Sequence, residues 1–321
     1  MKHLVSAVRP TMYFVGVSTS RSMIMRVFPA WARHLDFGEC EIKGIDLVQH
    51  DTAEKYREVV RFIKNDPLSL GALVTTHKID LLHAAREMFD ELDAFASLMG
   101  EVSSISKQDG RLRGAAKDPI TSGLALEAFL PRDYWARTGA DAFIMGAGGA
   151  SIALSSYILG NVQGQNRPRK LFISNRSQGR LDEMRRIHAK EQIDFPIEYL
   201  HTPAPEDNDA VLRSLSPGSL VVNATGLGKD GPGSPISDKA LFPVDGFAWD
   251  FNYRGELRFL RQAEAQAKTQ KLHVEDGWLY FIYGWLSVIG DVFHREIPAN
   301  GNGFQELCRI AEKERGRKEG S

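Results

Sequence analysis

The chain has 321 residues, a length typical of about two domains. Hydrophobic residues make up 43% of the chain and charged residues 25%, and this globular composition excludes a disordered or fibrous protein. Lys and Arg number 40 against 41 Asp and Glu, a balance that gives no electrostatic reason to expect nucleic acid or an anionic membrane as a partner. There are two cysteines and no apolar run long enough to span a bilayer, so we expect a cytoplasmic protein without a disulfide framework.

In the first third of the chain, short apolar runs alternate with amphipathic segments. The predicted elements, in chain order, are a strand over 12–17, a helix over 53–64, a strand over 71–75, a helix over 79–92 and a hairpin over 103–114. The hairpin is predicted because Asp109-Gly110, a pair that favours a tight turn, lies between two short β-like runs.

A second series of strands and helices begins near residue 140. Its predicted strands cover 141–145, 170–174, 219–223 and 247–250, and its predicted helices cover 151–159 and the segment beyond Gly277. Alternation of this kind is typical of a doubly wound α/β fold with parallel sheets. The sequence therefore predicts an α/β protein rather than two helical lobes.

A glycine-rich turn joins the predicted strand over 141–145 to the helix after it. Its residues are Gly146, Ala147, Gly148, Gly149 and Ala150, followed by Ser151 where dinucleotide-binding turns usually have a third glycine or an alanine. Glycines at such a turn let backbone N–H groups approach a pyrophosphate, and the positive end of the helix dipole faces the anion. Glycine turns also serve packing alone, but the strand before this turn and the helix after it favour dinucleotide binding.

The residues after the strand over 170–174 indicate which dinucleotide is bound. An NAD site normally has an acidic residue there for the ribose 2′-OH, whereas this chain has Asn175-Arg176-Ser177-Gln178-Gly179-Arg180. Two guanidinium groups suit a 2′-phosphate, which they can hold through charge-assisted hydrogen bonds. An arginine pair can also be a solvated helix face, but its position after the glycine turn favours NADP over NAD.

Lys78 and Asp118 are candidate catalytic residues in the first third of the chain. Lys78 closes the segment from Leu73 to Lys78, at the end of a strand, and Asp118 follows the hairpin. Open α/β sheets bind ligands at the carboxyl ends of their strands, and a lysine oriented by a carboxylate can exchange a proton with an alcohol. Spacing alone is weak evidence, because most Lys and Asp residues are solvated surface residues without a catalytic role. The motifs around the pair are therefore needed to interpret it.

In order, these motifs resemble those of the shikimate dehydrogenase family, from about Phe14 to Phe293. The segments that carry the resemblance are Ser20-Arg21-Ser22, Leu73 to Lys78, Ala116-Lys117-Asp118-Pro119, Gly146 to Ala150, Asn175 to Arg180, Asn223-Ala224-Thr225, Tyr253 and Asp276-Gly277. Each segment is short, but their shared order over nearly the whole chain is specific for the fold family.

The resemblance implies two α/β domains with a cleft between them. The substrate domain would comprise residues 1–120 and 277–321, and a Rossmann-type NADP domain would comprise residues 121–276. The implied reaction is the NADP-dependent interconversion of a ring alcohol and a ketone on a small cyclic carboxylic acid. A monomer or a homodimer would carry it out.

The resemblance also implies roles for individual residues. Lys78 would transfer the proton and Asp118 would be its charge partner, although which of them carries the mobile proton stays open. The residues implied in substrate binding are Ser20, Ser22, Thr75, Ser103, Tyr253 and Tyr283. Those implied in cofactor binding are the turn from Gly146 to Ala150 together with Asn175, Arg176, Ser177, Arg180, Asn223, Ala224, Thr225 and Gly277.

Several family positions that bind the ring hydroxyls of the substrate differ in this chain. The family's asparagines fall at Leu73 or Ala72, at Ser103 and at Ala116, and its glutamine falls at Gly284, beside Tyr283. A site that lacks these polar groups discriminates poorly for a polyol. We therefore hypothesise that shikimate is not the best substrate.

Two other functions stay open. One is a homologue that senses NADP and a metabolite without turnover, although a pure sensor does not need both Lys78 and Asp118. The other is a quinate-type dehydrogenase linked to NAD, with which the Arg176 and Arg180 pair conflicts. No histidine or cysteine cluster has metal-ligand spacing, and His77 is interpreted as a simple loop residue.

Overall fold

A computed structural model describes residues 4–160, 166–191, 194–229 and 231–316. The chain forms two compact units, of which the first comprises Met1–Lys117 and Ile282–Ser321 and the second comprises Asp118–Phe281. In the described ranges, no helix has both the length and the apolar character needed to cross a membrane. The same ranges contain no cluster of His, Cys, Asp and Glu that could hold a metal ion. Cys40 and Cys308 are free thiols.

The first unit is built around a six-stranded sheet. Its strands are β1 (Thr11–Gly16), β2 (Glu41–Asp46), β3 (Ser69–Val74), β4 (Glu91–Leu92), β5 (Ser104–Gln108) and β6 (Arg111–Ala115). They lie in the order β2-β1-β3-β5-β6-β4, and β1 is parallel to both of its neighbours. The predicted hairpin is present as β5 and β6. Asp109 and Gly110 both have positive φ at its turn, 52° and 74°, as a type I′ turn requires.

This first sheet departs from the predicted parallel arrangement. β5 runs antiparallel to β3, with Leu73 opposite Ser104, and β6 runs antiparallel to β5. A tight hairpin fixes the second of these directions, because parallel strands need a long crossover connection. As a result, the start of β5 lies beside the carboxyl end of β3, and residues from both strands meet at one edge of the sheet.

The helices of the first unit pack on this sheet through apolar stripes. They are α1 (Ile24–His34), α2 (Ala53–Asn65), α3 (Lys78–Ala85), α4 (Ala94–Met99) and, after α12 (Trp278–Val292), the last helix α13 (Gly301–Gly316). α2 begins after Thr52, whose side chain accepts the N–H of Lys55. Its predicted stripe is fully buried and consists of Tyr56, Val59, Val60 and Ile63.

The helix predicted over 79–92 is wrong beyond Ala85. α3 ends at that residue, residues 86–88 form a 3-10 turn, and Glu91–Leu92 pairs with β6 as the short strand β4. Met88, Phe89 and Leu92 nevertheless pack against the apolar core of the unit. Their spacing therefore reflects burial of three successive short elements rather than one continuous helix.

The second unit contains a six-stranded sheet that is wholly parallel. Its strands are β7 (Ala142–Met145), β8 (Leu171–Asn175), β9 (Ile197–His201), β10 (Leu220–Asn223), β11 (Phe247–Asp250) and β12 (His273–Glu275). Its helices are α5 (Asp118–Phe129), α6 (Tyr134–Thr138), α7 (Gly149–Leu159), α8 (Gln178–Lys190), α9 (Pro205–Ser214), α10 (Arg258–Glu264) and α11 (Ala267–Gln270). α12 begins in this unit and ends in the first.

The strand order of the second sheet, β12-β11-β10-β7-β8-β9, is that of a dinucleotide-binding fold. The chain passes from β7 outward to β8 and β9, and then returns to the other side of β7 as β10. The connections on the two sides of β7 therefore run in opposite directions, which makes the end of β7 the switch point of this sheet. Ligands of open α/β sheets bind at such a point. The glycine-rich turn follows β7 directly.

Candidate functional site

Lys78 lies at the carboxyl edge of the first sheet, but it begins a helix rather than closing a strand as predicted. β3 ends at Val74, residues 75–77 form a turn, and Lys78 is the first residue of α3. Its backbone carbonyl accepts the N–H of Val102 at 3.2 Å. Lys78 thus lies at the start of an 8-residue helix, directly after the turn that follows β3.

Hydroxyl groups from the predicted substrate-binding residues lie on the same edge of the sheet. Ser20 is exposed in the 3-10 turn that follows β1, and Ser22 is half-buried just before α1. Thr75, also half-buried, follows the neighbouring parallel strand β3. A Cβ added at Gly16 would lie 3.2 Å from the methyl carbon of Thr75, so the missing side chain lets the two loops approach. The first unit thus brings Ser20, Ser22, Thr75 and Lys78 to one edge.

Ser103 also lies at this edge, but its side-chain hydroxyl is hydrogen-bonded to backbone groups. The residue is buried next to Val74, whose N–H donates to the Ser103 carbonyl at 2.9 Å. The Ser103 hydroxyl accepts the N–H of Lys117 at 2.8 Å and donates weakly to the carbonyl of Ala115 at 3.4 Å. The side chain therefore joins the two ends of the hairpin, and less of its hydrogen-bonding capacity is left for a ligand.

Asp118 is the first residue of α5 and belongs to the second unit. Its side chain is buried, and the Tyr280 hydroxyl donates to its Oδ1 atom at 3.2 Å. The expected pairing of Asp118 with Lys78 stays a prediction.

The two tyrosines predicted to bind substrate both lie in aromatic clusters. Tyr283, on α12, is buried and stacks on Phe304 of α13, with ring centroids 4.4 Å apart. Tyr253 follows β11 and is half-buried against Trp278 and Phe281 of the second unit. Ring packing accounts for much of each side chain's surface, so only the hydroxyl ends are suited to polar contacts with a ligand.

The glycine-rich turn has the geometry that close approach to an anion requires. Gly146 has φ of 114°, and a Cβ there would lie 2.8 Å from the Ala224 carbonyl, so only glycine fits. Gly148 precedes α7 with ordinary φ, and a Cβ there would meet no atom within 4 Å. No side chain caps α7, and the buried Ser151 hydroxyl has no hydrogen-bond partner. The turn therefore offers free N–H donors at the start of an 11-residue helix.

The basic residues after β8 are exposed at the start of α8. Asn175 ends the strand, and its side-chain amide donates to the Ser177 carbonyl at 3.1 Å. Arg176 and Arg180 are both exposed, and Arg180 forms an ion pair with Glu183 at 3.1 Å. Exposed pairs of this kind contribute little free energy, so the Arg180 guanidinium can turn to a stronger anion.

At the carboxyl ends of β10 and β11, a buried polar network shapes the segment from Asn223 to Leu227. The Asn223 amide donates to Asp250 Oδ1 at 3.1 Å, and Asn223 Oδ1 accepts the Thr225 hydroxyl at 2.7 Å. Asp250 is fully buried, and its Oδ2 atom has no hydrogen-bond partner. Burial raises the pKa of Asp250 to about 7, although the hydrogen bonds from Asn252 and Asn223 act in the opposite direction. Ala224 and Thr225 therefore lie in a segment whose conformation this hydrogen-bond network fixes.

Gly277 lies in the same region and precedes α12. Its N–H donates to the Asn252 carbonyl at 3.1 Å, and a Cβ would lie 2.1 Å from the Phe251 carbonyl. The glycine is therefore required for close backbone packing. The second unit brings Gly277 to the connection that follows β11, next to the segment that Asn223 anchors through Asp250.

Sequence reasoning missed two buried polar residues. His77 is not the simple loop histidine that was expected: it is 1% exposed and its Nδ1 atom lies 3.1 Å from the Tyr56 hydroxyl. The signal for this pair was a tyrosine on the buried stripe of α2, since a buried phenol needs a polar partner. Asp250 was recognised only as part of a strand, and an acid that closes an apolar strand was the signal for it.

Comparison with known proteins followed three routes. No family model matches the chain. It is 31% identical to the NADP(+) shikimate dehydrogenase of Streptococcus gordonii over 178 residues, which are 55% of this chain and 58% of that protein. It is 24% identical to the enzyme of the same name from Lactococcus lactis over 239 residues, 74% of this chain and 79% of the other. The match to the Streptococcus protein thus spans less than two thirds of that relative's length.

Solved structures share the fold over nearly the whole chain. Shikimate 5-dehydrogenase from Thermus thermophilus in complex with NADP(H) and shikimate has a TM-score of 0.67 at 21% identity, covering 94% of this chain and 99% of that one. The ligand-free 5-ketofructose reductase of a Gluconobacter species has a TM-score of 0.65 at 16% identity, covering 95% and 98%. The predicted resemblance and fold class are confirmed, and the fold is shared by proteins named for different substrates, a shikimate 5-dehydrogenase and a 5-ketofructose reductase.

Proposed function

We propose that this chain, a relative of the shikimate dehydrogenases in sequence and fold, is an NADP-dependent dehydrogenase of a small cyclic carboxylic acid. The reaction would interconvert a ring alcohol and a ketone, as in shikimate and 3-dehydroshikimate or an analogue of them. The observation that carries the proposal is that Lys78 shares one sheet edge with the hydroxyl groups of Ser20, Ser22 and Thr75. Such an edge can hold a carboxylate and exchange a proton beside it.

The second unit suits the dinucleotide. The free N–H groups around Gly148 and Gly149 would hold the pyrophosphate, and the Ser151 hydroxyl, buried without a partner, supplies a further donor. Arg176 and Arg180 would hold the 2′-phosphate, helped by Asn175 and Ser177 at the same strand end. Ala147, Ala150, Ala224, Thr225 and Gly277 would line the remaining path of the cofactor.

Lys78 would manage the proton of the reaction. The cofactor, when bound, donates or accepts the hydride. In the reductive direction the Lys78 ammonium group donates a proton to the ketone oxygen as the alcohol forms, and in the oxidative direction the neutral amine removes the alcohol proton. The Asp118 carboxylate would orient the ammonium group and accept a hydrogen bond from a substrate hydroxyl.

The substrate carboxylate would be held by hydroxyl donors. Ser20 and Ser22 provide two such groups in the loop after β1, and Thr75 provides a third after β3. Ser103, Tyr253 and Tyr283 would complete the substrate site. Of these, Ser103 contributes least, because its hydroxyl already binds the Lys117 N–H.

The preferred substrate would carry fewer ring hydroxyls than shikimate. The positions that bind ring hydroxyls in the family correspond here to the buried apolar Leu73 or Ala72, to the buried Ala116, to Ser103, whose hydroxyl is already hydrogen-bonded, and to Gly284, which has no side chain. A polyol would leave hydroxyl groups unpaired against these residues, at a cost for each. The 5-ketofructose reductase that shares the fold is consistent with such divergence of substrate.

A kinetic panel tests the proposed function. NADP+ and NAD+ reduction would be measured with shikimate, quinate, aminoshikimate and simpler hydroxycyclohexane carboxylates, in wild type and in Lys78→Met. We expect NADP-linked oxidation of the less hydroxylated acids, and a fall in kcat of about 10²- to 10⁴-fold in the variant. Lys64→Met is the matched control, because this half-exposed lysine of the same unit pairs with Asp90 away from the site.

The other outcomes separate the rival functions. Turnover of no substrate, with NADP binding intact, would favour the non-catalytic sensor. NAD-linked oxidation of quinate would favour the quinate-type dehydrogenase. Shikimate turnover as efficient as that of a biosynthetic enzyme would refute the altered substrate preference, and activity unaffected by Lys78→Met would refute the role of the lysine. Sedimentation and cell fractionation would test the further proposals of a monomer or homodimer and of a cytoplasmic location.

A further inference from the structure

The turn that precedes Lys78 is strained. Thr76 has φ of 63°, a conformation that β-branched residues rarely adopt. The N–H of His77 donates back to the Thr75 carbonyl at 2.6 Å, so the three residues form a γ-turn of the rare positive-φ kind. The Thr76 side chain is exposed. The strain therefore persists only because the residues on both sides of Thr76 are held in place.

Backbone hydrogen bonds hold the two ends of this turn. On one side, the Thr75 N–H donates to the Val15 carbonyl at 3.0 Å and continues the pairing of β3 with β1. On the other side, the His77 carbonyl accepts the N–H of Leu81 at 2.8 Å, as the first bond of α3. These bonds set the path of the chain but leave the rotation of the helix start to the side chains.

The His77 side chain provides the remaining anchor. It is buried against Tyr56 of α2, with ring centroids 5.7 Å apart and Nδ1 3.1 Å from the hydroxyl. The same hydroxyl accepts the N–H of Asp51 at 3.2 Å, so the histidine is tied to the segment before α2. This joins the residue next to Lys78 to the fully buried stripe of α2.

The histidine is suited to a fixed, neutral role. Desolvation lowers the pKa of His77, while the carbonyls of Gly16 and Leu47 and the carboxylates of Asp80 and Asp51 oppose that shift. Desolvation likewise raises the pKa of Tyr56, so the phenol keeps its proton. Asp80, in the first turn of α3, also binds His50 at 2.9 Å. Polar contacts therefore hold the start of α3 on both sides of Lys78.

We propose that His77, bonded to Tyr56, is a positioning residue that holds the strained turn closed and so fixes the direction in which Lys78 presents its amine. The inference rests on the proposed function for its catalytic consequence, but the placement of Lys78 can be measured without turnover. Deleting the bond lets Thr76 relax to negative φ, which rotates the first residue of α3.

Three variants of the full chain test this role. Tyr56→Phe removes only the hydroxyl, His77→Phe keeps a ring without nitrogen atoms, and His77→Gln restores an amide that can bond Tyr56. We expect kcat on the best panel substrate to fall about tenfold or more in the two Phe variants, with KM and NADP affinity unchanged, and to recover in His77→Gln. Tyr199→Phe is the matched control, because it deletes a partly buried hydrogen bond of 2.6 Å between a tyrosine and a histidine, Tyr199 and His188, in the second unit.

A second measurement is independent of catalysis. The rate of reductive methylation of Lys78 would be followed by peptide mass spectrometry across about pH 6 to 11. We expect the pH midpoint for Lys78 to move by about half a unit or more in the two Phe variants, with Lys64 as the internal reference, and to stay unchanged in Tyr199→Phe. The positioning role is overturned if neither the Lys78 midpoint nor kcat changes in the two Phe variants, whether or not their unfolding temperature falls.

Failure of the proposed function would look different. If the wild-type chain turns over none of the substrates, kcat cannot be compared between variants. The methylation profile still reports whether His77 and Tyr56 determine the position of Lys78. A shifted midpoint in an inactive protein therefore supports the positioning role and refutes the dehydrogenase.

Discussion

Two strand-to-helix turns of this protein accommodate a residue with positive φ in different ways. In the second unit, the turn from β7 to α7 uses glycine at the one position with strongly positive φ, Gly146, and leaves the helix start uncapped. In the first unit, the turn from β3 to α3 puts Thr76 at positive φ and anchors the next residue in the core. In the proposed function, the first turn would offer its backbone N–H groups to the dinucleotide, and the second would fix the direction of the Lys78 side chain. Glycine would then serve the turn whose backbone binds, and an anchored side chain would serve the turn whose lysine reacts.

The largest effect is expected where glycine is indispensable. Gly146→Ala should lower the free energy of unfolding by about 3 kcal/mol or more, because φ of 114° is strained for alanine and its Cβ would meet the Ala224 carbonyl at 2.8 Å. Urea denaturation measures this. Gly148→Ala is the matched control: with open space and ordinary φ, it should leave stability within about 0.5 kcal/mol and weaken only NADP binding. Equal stability losses in both variants would contradict the comparison.

The second effect concerns the exposed arginines at the next strand end. Arg176→Gln combined with Arg180→Gln should weaken NADP binding about 10- to 100-fold and leave NAD binding unchanged, because only NADP has the 2′-phosphate. Fluorescence titration with each nucleotide checks this. Arg185→Gln, an exposed arginine farther along α8 that pairs with Asp182, should change neither affinity. A parallel loss for both nucleotides would place the arginines elsewhere than at the 2′ position.

The third effect is a pH dependence of stability that arises from Asp250. Its pKa is raised from 3.8 to about 7, so between those values the unfolded chain releases a proton that the folded chain keeps. The free energy of unfolding therefore falls as the pH rises from about 4 to 7, and the contribution of this group is constant above that range. Asp250→Asn mimics the neutral acid and should be more stable relative to wild type at about pH 8 than at about pH 5, by about 1 to 2 kcal/mol.

Urea denaturation at both pH values checks the Asp250 prediction. Asp238→Asn serves as the control, because that acid is paired with Arg258 at the surface and its pKa is lowered rather than raised. A difference between wild type and Asp250→Asn that is the same at both pH values would show that the carboxyl group ionises normally in the folded chain.

The smallest effect is expected when glycine is introduced into the other turn, at Thr76. Thr76→Gly should raise the free energy of unfolding by about 0.5 to 1 kcal/mol, because glycine relieves the positive φ, and the larger entropy of the unfolded chain offsets part of the gain. Thr75→Gly, one residue earlier and without positive φ, should destabilise by a similar amount. Thermal unfolding of the two variants gives the sign, and destabilisation by Thr76→Gly would show that the turn is not strained.

Much of the second unit was predictable because its signals are local. The glycine turn, the strand before it and the arginines after β8 lie within about 40 residues of one another, and each obeys a backbone or charge rule that needs no tertiary partner. The hairpin was predictable for the same reason, since Asp109-Gly110 alone selects the turn. The roles of these residues toward a ligand remain proposals.

The first unit was harder to predict because its decisive contacts are long-range. Apolar spacing over 79–92 could not distinguish one helix from three short elements, since all of them bury the same side chains. The direction of β5 relative to β3 follows from how strands pair, which local sequence does not specify. Lys78 was placed at a strand end because the turn at residues 75–77 has no glycine or proline to mark it.

By itself, the sequence determined the alternation of strands and helices, the glycine turn with its basic neighbours, and the resemblance to shikimate dehydrogenases. These depend on periodicity, backbone freedom and residue order, which are written along the chain. Only the tertiary structure decided that His77 is buried against Tyr56, that Ser103 is engaged by Lys117, and that Asp250 is an acid without solvent. Burial and pairing depend on residues distant in sequence, and the same side chain is a solvated group or a structural anchor according to what folding places around it.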